Sequence, residues 1–360
     1  WREQLKVENK GGALKILAEL CRLLIGVVFI FSGFVKAVDP VGGAIKIGEY
    51  LASFGLDMLQ PFTVLLSFNL SAIEFALGVC MLLGVYRRYV SFLILIFMAF
   101  MTPLTLYLAL FDPVSDCGCF GDALVISNWE TFFKNIVLSL AAIVTFIYNQ
   151  RLFQCFTFRA YWFVALYAYL FGVGFAYYNY NHLPVIDFRP YKIGANIPKL
   201  MEMPEEAPQD EYKYTFVYEK DGVKKEFSLE DYPANDSSWT FVDSKTELVK
   251  KGYQPPVAAF NIYNGKGDDV TEEIIGNPGP VLLLVAPKLE EADDEQMDEI
   301  NGVYDYALEH DIPFYCVTGS SPEAIDTWSD NTGAEYPFRM ADEVLLKTII
   351  RSNPGLVLLK

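Results

Sequence analysis

Long apolar runs constrain this chain more than anything else in it. Five stretches, about Ala13–Val38, Pro61–Tyr86, Tyr89–Phe111, Phe133–Tyr148 and Phe156–Tyr177, approach or exceed the roughly 20 apolar residues that cross a bilayer as a helix. In hydrocarbon the backbone has no water to bond, so such runs must satisfy their own amides as helices. The first run is too long for the apolar core of a signal peptide, and no small-residue cleavage pattern follows it. It reads as an anchor.

Charge divides the chain in two. Residues 1–180 carry 12 Lys+Arg against 11 Asp+Glu, whereas residues 181–360 carry 16 against 34. The first half is a nearly neutral body for lipid, and the second is an acidic domain for water. An acidic surface of this kind has no basic face for nucleic acid, so nucleic acid is not expected as a partner.

Basic residues set the expected orientation. Arg2, Lys6, Lys10 and Lys15 precede the first run, Arg87 and Arg88 separate the second and third, and Arg151 and Arg159 separate the fourth and fifth. With five spans all of these fall on one side, which the positive-inside rule makes cytoplasmic. The other side receives Asp39–Gln60, the loop after the third span and the acidic domain. For a bacterial inner membrane that side is the periplasm, which permits disulfides. Ile45–Leu59 has helical amphipathic spacing and is expected to lie along this outer interface. Ser127-Asn128 reads as a helix start before the fourth span.

The loop after the third span reads Asp116-Cys117-Gly118-Cys119-Phe120-Gly121. Six cysteines in 360 residues make this pair more than a by-product of composition. Cys117 and Cys119 can close a small strained disulfide, and strained disulfides are the exchangeable ones. So small a ring restrains little chain entropy, which makes stability a poor reason for it. The pair is either a redox centre, or a loop staple or two free thiols. Cys21 and Cys80 fall near the inner ends of the first two spans and read as apolar fillers, whereas Cys155, facing the cytoplasm, and Cys316, inside a strand, read as inert.

Glu74 falls near the middle of the second run. An ionisable group there costs about 2.5–3.5 kcal/mol on insertion scales, so it needs a partner or a task. Arg22 is its expected partner, as a charge pair fixing helix register or as a proton route. Lys36, nearer the outer surface, is expected to meet Asp39 or Asp116. His182 and His310 stand far apart and outside any Cys/His spacing, so no metal site is expected.

The residues Arg22-Leu-Leu-Ile-Gly-Val-Val-Phe-Ile-Phe-Ser-Gly-Phe-Val-Lys36 with Asp39-Pro40 resemble the opening helix of the DoxX/MauE family of membrane proteins. Ile73-Glu74-Phe75-Ala76-Leu77-Gly78 with Leu83-Gly84 resembles the second helix. Asp116-Cys-Gly-Cys-Phe-Gly121 with Asn128-Trp129-Glu130 resembles the MauE branch. This resemblance, over about Ala13–Tyr148, implies a four-helix bundle and a link to disulfide formation in exported proteins. The bundle is similar in plan to quinone-linked oxidases of the DsbB and vitamin K epoxide reductase type, which makes a quinone the candidate cofactor. Those proteins use Cys-x-x-Cys, and this chain has Cys-x-Cys. The fifth span is then a tether.

In the acidic half, Met201–Asp210 is a linker by composition. Tyr212–Tyr218 and Val223–Leu229 flank Asp221-Gly222 as a hairpin. From Pro255 strands and helices alternate: Val281–Val285, helix Glu291–Leu308, Pro313–Val317, helix Pro322–Trp328 and Leu356–Leu359. This is an α/β layer pattern. It resembles a thioredoxin-like domain of the TlpA/peroxiredoxin type, with Pro256…Phe260-Asn-Ile as its first strand and Pro354 at the place of the cis-proline. Where such domains carry Cys-x-x-Cys, this chain reads Ala286-Pro287-Lys288-Leu289-Glu290. The domain lacks dithiol chemistry and is left with a groove by Pro354 for an extended peptide.

The fold class expected is therefore an α-helical transmembrane bundle, four DoxX/MauE-like helices plus a fifth span, followed by a soluble α/β thioredoxin-like domain. Its parts are a membrane domain at 1–150, the fifth helix and linker at 151–200, a hairpin-containing extension at 201–254 and a degenerate thioredoxin-like domain at 255–360. The leading functional expectation is an inner-membrane thiol–disulfide redox or maturation factor acting on periplasmic proteins through Cys117 and Cys119. Electrons would pass to a quinone or another membrane carrier. A non-enzymatic scaffold subunit of an envelope or secretion complex is the alternative, and a quinone-linked oxidoreductase subunit is a third.

Overall fold

The first apolar run lies within one uninterrupted helix, α1 (Arg2–Val38), which turns at the cap residue Asp39 into α2 (Pro40–Ser53). Asp39 accepts from Gly42 N at 2.9 Å, and Pro40 occupies the first helical position, where a missing N–H costs nothing. α3 (Thr63–Leu83), α4 (Arg87–Phe111), α5 (Asn128–Ile147) and α6 (Tyr161–Asn181) follow. The computed structural model describes residues 2–111, 114, 117–204, 211–220, 223–228, 239–250, 255, 257 and 260–360. It divides into two units, residues 1–192 and residues 193–360.

Among the described residues, four helical stretches are long and apolar enough to cross a membrane: Asp57–Leu83, Arg87–Phe111, Asn128–Ile147 and Phe158–Asn181. The first unit is that of a multi-pass membrane protein. α1 runs beside these helices, packed along α3 and touching α5 and α6. Leu93, Ile96, Phe100, Leu140, Phe163 and Leu170 point outward as an apolar surface fit for lipid. Inside, α4 and α5 are joined by the Thr102 and Ser139 hydroxyls at 2.7 Å and by Asn135 Nδ2 donating to Thr105 Oγ1 at 3.2 Å. α5 starts on a capping box: Ser127 Oγ accepts from Glu130 N, and the Glu130 carboxylate accepts from Ser127 N.

α1 and α3 run antiparallel and cross at Gly33. A Cβ built on Gly33 would lie 2.7 Å from Ser71 O and 2.8 Å from Phe75 Cα, so only glycine lets the backbones meet there. That contact fixes the register and brings Ser32 and Lys36 of α1 to the level of Glu74 on α3. α2 spans Pro40–Ser53, where the expected amphipathic stretch was Ile45–Leu59; Gly55 takes a φ of +67° and a 3₁₀ turn then runs Asp57–Phe62.

The second unit has α7 (Ile197–Met201) and a three-stranded antiparallel sheet. Its strands β1 (Glu211–Lys220), β2 (Val223–Ser228) and β3 (Thr240–Lys250) stand in the order β2-β1-β3. The expected hairpin strands are present, and its Asp221-Gly222 turn and Leu229 lie outside the described residues. So do residues 205–210 of the expected linker and Pro256. After α8 (Thr271–Ile275) come β4 (Val281–Ala286), α9 (Met297–Glu309), β5 (Phe314–Thr318), α10 (Pro322–Thr332), β6 (Phe338–Met340), α11 (Glu343–Ile349) and β7 (Gly355–Leu359). These strands form a mixed sheet ordered β6-β5-β4-β7, parallel except for β7. Trp328, Phe314, Tyr336 and Met297 pack beneath it in one apolar core.

Two expectations in this unit need correction. The acidic helix begins at Met297, not Glu291, because Asp293 turns its carboxylate on the backbone N–H of Glu295 at 2.9 Å and competes with helix formation. Phe260-Asn-Ile is no ladder strand. Among the described residues there, Tyr263 forms isolated bridges, exchanging two 2.8 Å bonds with Met340, and Ile262 O accepts from Val270 N at 2.9 Å.

Candidate functional site

The loop between α4 and α5 folds back onto the end of the bundle. Gly118 has a φ of +63°, a left-handed turn that brings the two cysteines together. Their sulfurs lie 2.8 Å apart, and both are free thiols. Cys117 is 6% exposed, and its carbonyl accepts from Tyr50 Oη of α2 at 2.6 Å. Cys119 is half-buried as a residue. Asp116, the first residue of the motif, lies outside the described residues.

Beneath Cys119 is a buried polar cluster. Glu74 is 2% exposed. Lys36 Nζ donates to its two oxygens at 2.7 and 2.8 Å and to Ser32 Oγ at 3.2 Å, so three acceptors meet the three ammonium protons. The Ser32 hydroxyl lies 2.7 Å from Glu74 Oε2 and 2.8 Å from the Cys119 carbonyl oxygen. From α5, Lys134 Nζ sits 4.2 Å from the ring centre of Phe120.

This replaces the expected Glu74–Arg22 pair. Arg22 lies 14 residues before Lys36 on α1, about 21 Å along the helix axis. There its Nε donates to Glu19 at 2.6 Å and its Nη1 to the carbonyls of Met81 and Leu82 in the last turn of α3, the former shared with the N–H of Gly84. Glu19 in turn accepts from the backbone N–H of Phe153. Lys36, expected to meet Asp39 or Asp116, pairs with Glu74, because the Gly33 crossing holds it there; Asp116 lies outside the described residues. Ser32 and Lys36 stand four residues apart on one helix face, a spacing that could have singled them out.

The environment separates the two thiols. A hydrogen bond from Cys117, then the charges of Lys134 and Lys36, pull the Cys119 thiol down to about 6 against burial and Glu74. The Cys117 thiol is pushed far up, first by its hydrogen bond to Cys119, then by burial and by the charge on Cys119.

A cavity of about 30 Å³ opens beside Cys119, lined by Ser32, Lys36, Glu74, Phe120, Lys134 and Asn135 among others. That is room for about one water, and its polar lining suits one. A pocket for a molecule of quinone size is roughly tenfold larger. The residues around Cys119 therefore do not fit a quinone. A second cavity of about 410 Å³, apolar and formed between α3, α4 and α6, has Cys80 in its wall and not Cys119.

The other expected residues stand apart from this cluster. Cys80 is buried in the bundle core with Cys21 packed against the same cluster, Cys155 is exposed, and Cys316 is fully buried in β5. Pro354 opens β7 after a cis Asn353–Pro354 peptide, and Asn353 Nδ2 donates to Lys288 O at 2.8 Å. Among the described residues no three His, Cys, Asp or Glu side chains are grouped to hold a metal.

Residues 14–148 match the family of methylamine utilisation protein MauE, and residues 212–251 match a domain of unknown function, DUF8463. Over residues 14–148 the chain is therefore similar to MauE, a likeness that suits its membrane helices. No curated protein and no solved structure matches it.

Proposed function

We propose that this protein exchanges thiols and disulfides with partner proteins through Cys117 and Cys119, as a membrane-bound redox or maturation factor. The observation that carries this reading is a pair of free thiols 2.8 Å apart, one of them pulled down to about 6. A thiol with that value is largely thiolate at neutral pH, and the thiolate is the nucleophile of exchange. The sulfurs need approach by less than about 1 Å to reach bonding distance.

Arg22, Arg87 and Arg151 lie at the end of the bundle opposite this loop, which supports a cytoplasmic placement of that end and a periplasmic placement of Cys117 and Cys119. The second unit, with Cys316 sealed in β5 and its strand order compatible with a thioredoxin-like plan, serves in this reading to hold the partner beside Pro354 and not to exchange disulfides.

Thiol trapping tests the proposal. Membranes holding the full chain are quenched with acid, and free thiols are labelled with a maleimide of high mass before and after exposure to a dithiol-containing exported protein and to its oxidised form. Exchange moves Cys117 and Cys119 together between two labels and none. A pair that stays in one state under both treatments refutes exchange and leaves the scaffold reading.

A further inference from the structure

Resting on that reading, we infer a division of labour within the pair: Cys119 is the attacking thiol, Cys117 the resolving one, and Lys36 and Lys134 are positioning residues that hold the Cys119 thiolate. Three independent features of the geometry carry it. Cys117 lies under α2, whose Tyr50 hydroxyl donates to its carbonyl. The polar cavity opens on Cys119 and not on Cys117. Lys36 and Lys134 both line that cavity, and two neighbouring ammonium groups favour an anion at Cys119 over the neutral thiol.

Among the described residues, α2 and α4 also bring side chains near the pair. α2 brings Tyr50, and Lys46, which is paired with Glu49 at 3.1 Å. α4 contributes Met98 and Met101, which carry no charge.

In the exchange, the Cys119 thiolate attacks one sulfur of a partner disulfide. A Cys119–partner bond forms, the partner disulfide breaks, and its other sulfur leaves as a thiolate. Cys117 then gives up its proton and attacks the Cys119 sulfur, closing Cys117–Cys119 and releasing the second partner thiol. Two electrons pass to the partner, the proton of Cys117 ends on one of its sulfurs, and the other leaves as a thiolate that takes its proton from water. The reverse sequence oxidises a partner dithiol.

Dipyridyl disulfide is a suitable probe, because each attack releases one coloured thiopyridone. The full chain in lipid nanodiscs, with Cys155→Ser in every form to remove the exposed thiol, should release two per chain. Cys117→Ser should release one and keep the pyridyl group on Cys119. Cys119→Ser should react at least tenfold more slowly. A fast Cys119→Ser form beside a slow Cys117→Ser form overturns the assignment while sparing exchange itself. If neither cysteine reacts, the exchange reading fails with it.

In the Cys117→Ser background, Lys134→Met should cut the rate at neutral pH by about three- to tenfold and move the pH profile upward, because one opposing charge shifts a neighbouring thiol by that order. Lys134→Arg should restore the profile. A Lys134→Met profile that superimposes on the parent overturns the positioning role, since a purely structural lysine would change yield and stability without moving the midpoint.

Discussion

Removing the ammonium of Lys36 should unbalance the buried cluster in a way that only a coupled measurement exposes. Lys36 Nζ and Glu74 Oε1 are 2.7 Å apart, with side chains 13% and 3% exposed. At an effective dielectric near 20, two unit charges at that distance attract by about 6 kcal/mol, much of it offset by the cost of drying both. Lys36→Met leaves the Glu74 carboxylate buried with Ser32 alone, and breaking a buried pair from one side costs roughly 3–5 kcal/mol. Glu74→Gln leaves the ammonium short of its charge partner and should cost a similar amount. Lys36→Met with Glu74→Gln removes both charges, so its loss should fall well below the sum of the two single losses. The assay is equilibrium unfolding of the full chain in mixed micelles, with the four proteins forming a double-mutant cycle. A coupling of about 3 kcal/mol is expected. Strict additivity, with coupling below about 0.5 kcal/mol, would refute the reasoning, since it would mean that the two charges do not meet in a dry site.

Three further outcomes follow from the same geometry. Gly118→Ala forces a Cβ into a left-handed turn 3.2 Å from Lys46 Cγ, at a cost of about 1–2 kcal/mol, and should slow closure of a Cys117–Cys119 bond as read by maleimide labelling. Ser127→Ala removes the oxygen that caps α5 and should lower stability by about 1 kcal/mol in the same micelle assay, with no change in thiol reactivity. The pH dependence has a definite sign: Cys119 is depressed in the folded protein to about 6 from the ordinary thiol range. Below about pH 6 both states hold its proton. Between there and the ordinary thiol range the unfolded chain binds more protons, so stability should rise with pH across that window. Cys119→Ser should flatten that rise in an unfolding series at stepped pH.

The helices of the membrane unit were legible because hydrocarbon admits so few solutions: a long apolar run must be a helix, and its ends follow within a few residues. Glu74 was equally legible as a buried charge in want of a partner. Its partner was not, because pairing across α1 and α3 depends on where the two backbones touch. That depends on Gly33 meeting Ser71, and no periodicity reports it. Lys134 carried no such signal, since its approach to the cavity needs the loop to fold back. In the second unit, β4, β5 and β7 announced themselves as apolar runs bounded by turn residues. β6, three residues long, and β3 did not, and the Asp293 side chain defeated the helix pattern locally.

Ser32 has one proton and two suitors. Its hydroxyl stands between the Glu74 carboxylate and the Cys119 carbonyl at nearly equal distances, and it can satisfy only one of them at a time. The carboxylate of the Lys36–Glu74 ion pair is the stronger acceptor, so the peptide of Cys119 must share or forgo its bond. The serine thus fastens loop to bundle through a single shared proton, and the hold on the loop is set by how strongly the ion pair competes for it.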